Sequence, residues 1–253
     1  MMRSRLTLVV VGSLLFLPSL AGAEGTACGS ETVIVPDGRI TTSTIPVGVT
    51  FFYKITSRVG SAYSAEFHNV LGPAVQTPGT LTVYSDTGCS VTVTPTNTAA
   101  VDPGDVNGAR VSFTSTTPQT IFTLNNGSGG PLTYSFTVSD TTMFSPAWST
   151  NGTYDTFYSL HNTTNATCTG TLTLRDTGGA VVTTAAITVA SGATTATNTV
   201  ALGTVRNTTG TARLTHNCPP GGILAEAAIA NFTISPTPYF QFIHFQSVRG
   251  PIL

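Results

Sequence analysis

The chain carries very little charge. Only 8% of its 253 residues are Asp, Glu, Lys or Arg, and the formal net charge is -1, whereas soluble domains carry roughly 25% charged residues. A coiled coil, a protein that binds nucleic acid by neutralising phosphates and a charge-driven disordered tail all need more charge than this. The composition therefore excludes nucleic acid as a partner.

A helical period is also lacking. The 49 Thr, 25 Gly and 15 Pro residues break the chain into short alternating segments, and Thr, Val, Phe and Tyr suit a half-buried pleated surface. Short strands at this spacing are typical of sandwiches and barrels. We predict an all-β fold with two tandem antiparallel β-sandwich domains, jelly-roll or immunoglobulin-like. The predicted strands are 32–35, 49–55, 62–69, 79–85, 90–94, 109–114, 119–125, 132–139, 154–161, 170–175, 180–189, 194–202, 210–216, 222–231 and 239–248.

Residues 1–23 have the pattern of an export signal. Arg3 and Arg5 precede an apolar run, and Ala21-Gly22-Ala23 offers a cleavage site. Removing two arginines changes the net charge from -1 to -3. No later apolar run is long enough to span a membrane. We predict a secreted or cell-surface protein, with the periplasm as the alternative. Lipidation at Cys28 is disfavoured because the required Leu is missing before it.

Four cysteines remain after export into an oxidising compartment. They allow three pairings, and only Cys28 with Cys89 and Cys168 with Cys218 keeps each bridge within one half of the chain. We predict these two disulfides. A zinc site requires closely spaced cysteines and a catalytic thiol requires a neighbouring cation, and the sequence shows neither feature.

Similar segments recur in the two halves. GTLTVYSDTG at 79–88 matches GTLTLRDTG at 170–178, and ARVSFT at 109–114 matches ARLTHN at 212–217. We therefore predict a common topology for two domains, residues 24–141 and 142–253. Each Asp-Thr-Gly follows a strand, which favours a turn with its Gly at positive φ.

The two halves also carry resemblances to known modules. FFYKITSRVGSAYSAEF, GTLTVYSDTGC and GARVSFTSTTPQTIFTLNNGSGGPLTYSFTVS resemble the bacterial prepeptidase C-terminal domain. FYSLHNTTNATCTGTLTLRDTGGAVV and GTARLTHNCPPGGILAEAAIANF resemble immunoglobulin-like repeats of exported bacterial proteins. These resemblances imply β-sandwich modules with accessory, extracellular roles, and they imply no substrate.

Catalytic motifs are missing. The chain has no Gly-x-Ser-x-Gly elbow, phosphate loop or dinucleotide fingerprint. The 11 acidic residues are scattered singly on predicted turns, and the four histidines are far apart in sequence. We predict that the protein is not an enzyme. A hydrolase would require a cleft at the domain junction that holds two carboxylates, or a carboxylate and a histidine.

One loop offers calcium ligands. In DPGDVNGAR, Asp102 and Asp105 match the start of a calcium-binding loop. Such a loop needs an oxygen ligand at its fifth position and a bidentate carboxylate at its twelfth, and these positions are occupied by Ala109 and Thr116. An ordinary turn is the main interpretation. Calcium is the only cofactor for which the sequence offers ligands.

Aromatic side chains are the remaining signal. Candidate ligand or interface residues are Trp148, Tyr154, Tyr158, Tyr239, Phe240 and Phe242. Packing is the main interpretation of these rings, intermolecular contact the second and sugar binding the third. Low charge also leaves sheet edges open to association. We predict a non-catalytic structural or adhesive protein that self-associates through sheet edges, with other extracellular subunits or surface polysaccharide as partners. A carbohydrate-binding module built on Trp148 is the alternative.

Overall fold

The chain folds entirely into β-structure. The computed structural model describes residues 24–71, 80–95, 97–99, 108–126, 130–233 and 238–247. Every regular element within these ranges is a strand, and the strands form four sheets. The predicted all-β fold is confirmed. The predicted signal peptide, residues 1–23, lies outside the described residues.

The N-terminal half contains two sheets. Its strands are β1 (Thr32–Val33), β2 (Thr41–Ile45), β3 (Thr50–Thr56), β4 (Ala62–Leu71), β5 (Thr80–Tyr84), β6 (Asn97–Ala99), β7 (Ala109–Thr114), β8 (Gln119–Asn125) and β9 (Leu132–Asp140). One sheet has the order β1-β3-β8-β5 and the other β2-β9-β4-β7-β6. β1 runs parallel to β3, so the half is not purely antiparallel as predicted.

An aromatic core joins these two sheets. In β9, Tyr134 and Phe136 alternate with half-buried polar residues and point inward. The ring of Phe136 lies 5.0 Å from that of Tyr53 and 5.6 Å from that of Phe122, both on the opposite sheet. Alternate side chains of a strand share one face, so the apolar period of two places these rings between the sheets.

The C-terminal half also contains two sheets. Its strands are β10 (Met143–Ser149), β11 (Asp155–Asn162), β12 (Cys168–Asp176), β13 (Val181–Val189), β14 (Thr194–Asn198), β15 (Thr209–His216), β16 (Ile223–Asn231), β17 (Tyr239–His244) and β18 (Gln246–Ser247). One sheet has the order β13-β12-β15-β10-β18 and the other β14-β11-β16-β17. The Ala-rich segment β16 is a strand, as predicted, since Ile223, Ala225 and Ala227 alternate inward.

Three strands were not predicted, one predicted strand is absent, and the predicted strand 239–248 is divided into β17 and β18, which lie in different sheets. β2, β6 and β10 have no counterpart among the predicted strands. Residues 90–94 contain only an isolated bridge between Thr92 and Tyr84. In the segment SVTVT, apolar and polar residues alternate as in a strand. The turn closed by Asp86 directly precedes this segment, and only Thr92 pairs with a residue of β5.

The sequence repeat does not correspond to a shared topology. The matched segments of the C-terminal half, on β12 and β15, are neighbours in one sheet. Their counterparts in the N-terminal half, on β5 and β7, lie in different sheets. The match therefore reflects similar strand composition in a Thr-rich chain.

Both Asp-Thr-Gly segments form turns, but the glycine has a different role from the one predicted. Asp86 accepts a hydrogen bond from the backbone nitrogen of Ser90 at 3.0 Å, and Asp176 accepts the equivalent bond from Ala180 at 2.8 Å. The positive φ falls one residue later than expected, at Cys89 and Gly179. The carboxylates therefore close the turns.

The structure contains both disulfides predicted from the sequence. Cys28 pairs with Cys89 across 61 residues, and Cys168 pairs with Cys218 across 50 residues. The second pair is buried in the core of the C-terminal half. Each bridge therefore closes a long loop within its own half.

Direct contacts join the two halves. The Arg58 guanidinium lies 5.8 Å from the centre of the Phe144 ring and 2.5 Å from Asp140. The Thr141 hydroxyl donates to the backbone oxygen of His216 at 3.3 Å. The halves thus meet through a cation-π contact and polar contacts rather than through a shared apolar core.

Candidate functional site

Two of the six candidate aromatic residues are core residues. Trp148 and Tyr158 are each 1% exposed and belong to the apolar cluster of the C-terminal half. The Trp148 indole nitrogen donates to the backbone oxygen of Arg175 at 2.9 Å. β10 begins almost directly after β9, so Trp148 falls inside the sandwich rather than at the junction. The burial of Trp148 agrees with packing, the main interpretation, and does not fit the alternative in which this ring binds sugar.

Three of the other candidates lie at the surface on β17. Phe240 and Phe242 are 47% and 69% exposed. Tyr239 is also exposed, and its ring meets that of half-buried Tyr154 at 5.9 Å. Such large exposed apolar side chains on neighbouring positions mark an interaction surface.

Two further rings extend this surface. Phe232 is 58% exposed and lies 5.4 Å from the ring of Phe240. Phe157 on β11 lies 5.6 Å from Phe232. We call these four residues, Phe157, Phe232, Phe240 and Phe242, the aromatic edge. Phe232 was not predicted from the sequence because it directly follows β16, and a single apolar residue in a turn carries no periodic signal.

The sheet register explains why these rings share the outer face. Phe242 lies opposite Ala228 on β16, and Ala228 lies opposite Phe157 on β11. Cross-strand partners point to the same side of a sheet, and the small Ala228 leaves space between the two rings. A groove of about 270 Å³ fills this space, with Glu226 and Asn198 as its polar lining.

β17 is also an end strand of its sheet. β16 pairs with it along one side, and no strand in the described part of the chain pairs along the other. An unpaired strand edge presents backbone donors and acceptors in a row. The aromatic edge therefore combines apolar rings with free hydrogen-bonding capacity.

A second feature is a polar cleft of about 720 Å³ between the halves. Its ionisable lining residues are Asp37, Glu66, His68 and Asp140. Glu66 and His68 lie two residues apart on β4, and the His68 Nε2 atom is 3.9 Å from the Glu66 carboxylate. The fold thus brings groups that are scattered in the sequence into one cleft, and Glu66 lies on a strand rather than on a predicted turn.

All three carboxylates have polar partners, and Glu66 accepts a hydrogen bond from the Ser64 hydroxyl at 3.3 Å. Asp140 binds Arg58 and accepts a hydrogen bond from the Thr142 backbone nitrogen at 2.9 Å. Asp37 forms an ion pair with Arg39 at 3.0 Å. Among the ionisable groups of the cleft, Glu66 and His68 come nearest to the arrangement that a general acid and a general base require.

Metal ligands converge at one place in the described ranges, around Cys28, Glu31 and Cys89. Both sulfur atoms are already joined in a disulfide, and a metal requires a thiolate. The donor set therefore does not suit a metal ion. The calcium candidates Asp102 and Asp105 lie outside the described residues.

His216 is an ionisable side chain of the C-terminal half with a strongly lowered pKa. Its burial lowers its pKa to about 4, because desolvation outweighs a hydrogen bond with the Cys218 backbone. This histidine is 6% exposed and lies inside the sandwich. The neutral ring is therefore a structural group.

None of the described residues forms a helix long and apolar enough to cross a membrane.

Comparison with known proteins assigns no family. No protein-family model and no curated protein matches the chain. Among solved structures, the full extracellular region of zebrafish Gpr126/Adgrg6 is similar over 89% of this chain and 34% of its own, at 11% identity and a TM-score of 0.28. A calcium-binding mutant of Bacteroides uniformis beta-glucuronidase 2 is similar over 79% of this chain and 26% of its own, at 12% identity and a TM-score of 0.22. The chain thus spans about a third and about a quarter of these structures.

Proposed function

We propose that this protein is a non-catalytic, secreted or cell-surface protein with a structural or adhesive role, and that it acts through the aromatic edge. The carrying observation is that Phe232, Phe240 and Phe242 are about half exposed or more, side by side, on an open sheet edge. Burying such rings against a partner releases water from apolar surface, which favours association.

Export is the second part of the proposal. Support comes from the signal-like segment 1–23 and from the two disulfides, since disulfides persist in oxidising compartments. The periplasm is the alternative location. The two separate cores support two sandwich domains, residues 24–141 and 142–253. Other extracellular subunits or surface polysaccharide are the proposed partners.

The test uses the mature chain from Glu24. Sedimentation over a range of concentrations and retention on polysaccharide columns would be measured for the wild type and for Phe240→Ser/Phe242→Ser. We expect association or retention in the wild type and its loss in the variant. Val205→Ser is the matched control, because Val205 is 71% exposed and is not one of the residues of the aromatic edge. A wild type that neither associates nor is retained contradicts the proposal.

A carbohydrate-binding module is the second candidate, and the groove between Phe157 and Phe242 favours it. Aromatic faces stack on sugar rings, and Glu226 and Asn198 would bind hydroxyl groups. Retention on a polysaccharide should then fall with Phe157→Ala and remain with Trp148→Phe, since Trp148 is buried. Equal loss in both variants would argue against the groove.

A hydrolase is the third candidate because Glu66 and His68 share the cleft. The non-catalytic proposal predicts that a panel of glycoside and ester substrates shows no turnover above that of Glu66→Gln/His68→Ala. Turnover by the wild type that the double variant loses would replace the proposal with an enzymatic one.

A further inference from the structure

We propose that two copies of this chain pair through their β17 strands, antiparallel to each other, about a two-fold axis at Gln241. The result is one continuous eight-stranded sheet across the dimer. The inference rests on the proposed function, because it names the partner that the aromatic edge takes.

The backbone of β17 determines which groups are available. The Phe245 nitrogen donates to the Ala225 oxygen at 3.1 Å, and Ile243 lies opposite Ala227. Because backbone groups of an antiparallel strand alternate between its two sides, residues 239, 241, 243 and 245 face β16. The amide and carbonyl groups of Phe240, Phe242 and His244 therefore point to the open edge.

The side chains determine the register. With the axis at Gln241, Phe240 of one copy lies opposite Phe242 of the other, and this contact occurs twice. Gln241 then lies opposite itself, and exposed Tyr239 lies opposite Ile243 of the second copy. Aromatic cross-strand pairs stabilise a sheet. Moving the axis to Phe242 would keep one aromatic pair, Phe242 against itself, and would place Phe240 against His244, so one aromatic contact would replace two.

Within its own six residues, β17 lacks the side chains that usually protect a sheet edge. Natural sheet edges are guarded by Lys, Pro, bulges or inward-pointing charges. β17 reads YFQFIH and contains no Lys, Arg, Asp, Glu or Pro. Its pairing with β16 is continuous from Asn231 to Glu226. The strand is therefore a regular template for a second copy.

The exposed area predicts a weak dimer. Phe232, Tyr239, Phe240 and Phe242 together expose the equivalent of about two aromatic side chains, or about 400 Å² per copy at about 200 Å² each. A standard interface buries about 800 Å² per partner, so the strand edge must supply the remainder. We expect a dissociation constant on the order of tens of micromolar. Both copies use the same strand, so the pair closes and does not extend into a fibre.

Cysteine cross-linking tests the register. All four cysteines are in disulfides, so Gln241→Cys adds the sole free thiol. In the proposed register the two 241 positions form a non-hydrogen-bonded pair, with Cα atoms about 4.5 Å apart, within reach of a disulfide. We expect Gln241→Cys to form covalent dimers under mild oxidation. The matched control Ala196→Cys, on exposed β14 at the other end of the same sheet, should remain monomeric.

A second variant tests the pairing without new cysteines. Phe242→Lys places a charge opposite Phe240 of the second copy and should abolish the dimer in sedimentation. Val205→Lys, at another exposed apolar position, should leave the dimer unchanged.

Other outcomes separate this inference from the proposed function. Cross-linking at Phe242→Cys but not at Gln241→Cys, or oligomers that survive Phe242→Lys, would overturn the inference. A wild type that stays monomeric yet is retained on polysaccharide through Phe242 would also overturn the inference and leave the proposed function standing. A wild type that is monomeric and is retained on nothing overturns both.

Discussion

The two halves use their aromatic residues in opposite ways. Eight of the sixteen buried residues in the N-terminal apolar cluster are Phe or Tyr. In the C-terminal cluster only three of seventeen are aromatic, and most of the others are Leu, Ile, Val or Ala. The C-terminal half instead leaves Phe232, Phe240 and Phe242 exposed. Since burying aromatic rings contributes strongly to core stability, rings left outside are available for contact with other molecules.

The largest expected change in the free energy of unfolding comes from a substitution in the N-terminal core. Phe136 is fully buried between the sheets, so Phe136→Ala should lower the free energy of unfolding by about 3 to 5 kcal/mol. Urea unfolding followed by tyrosine fluorescence measures the loss. If the cost were below about 1 kcal/mol, the aromatic core would not be the main support of this half.

The disulfides give the next comparison. Cys168 and Cys218 are buried among apolar side chains, whereas Cys28 and Cys89 are partly exposed. Both loops are long, so each bridge is worth about 4 kcal/mol by loop entropy. Cys168→Ala/Cys218→Ala leaves a cavity as well and should cost about 1 to 2 kcal/mol more than Cys28→Ala/Cys89→Ala. Thermal unfolding of the two double variants compares them, and an equal loss would contradict this reasoning.

A pH titration tests the buried histidine of the C-terminal half. The pKa of His216 is about 4 in the folded chain and about 6.5 when unfolded. The unfolded chain therefore gains the proton first as pH falls, and stability decreases between pH 6.5 and 4. The loss should approach about 3 kcal/mol by pH 4, and His216→Gln should reduce this slope. A wild-type stability that does not change over this range would disprove the assignment.

The smallest expected effect lies at the aromatic edge. Phe242 is 69% exposed, so Phe242→Ser should change the free energy of unfolding by less than about 0.5 kcal/mol. The same variant should weaken association, in the same direction as Phe240→Ser/Phe242→Ser and Phe242→Lys. A large loss of stability would show that the Phe242 ring packs within its own chain rather than being available for contact with a partner.

Local patterns predicted most of the strands. Alternation in LTYSFTVSD and its counterparts identifies a buried face because the side chains of a strand have a period of two. β6 escaped prediction because its three residues carry too little pattern, and β2 because TTSTI has a single apolar residue. The segment GILAEAAIAN has helix-forming residues, and only its neighbours on both sides, β11 and β17, explain why it is a strand.

The candidate site was predictable only in part. Tyr239, Phe240 and Phe242 stood out in the sequence because apolar residues occupy consecutive positions. Trp148 was a candidate because it is the single Trp of the sequence, yet its position in β10 places it in the core. The cleft around Glu66 and His68 was not predicted, since Pro220 and Gly221, which complete it, are distant in sequence.

The sequence by itself determined the all-β class, the pairing of the cysteines and the turns closed by Asp86 and Asp176. Each of these depends on composition or on contacts that the order of the chain already limits. Only the tertiary structure decided which aromatic side chains face solvent and which ionisable groups meet. The reason is that exposure depends on the neighbours across a sheet and between sheets, and these neighbours come from distant parts of the chain.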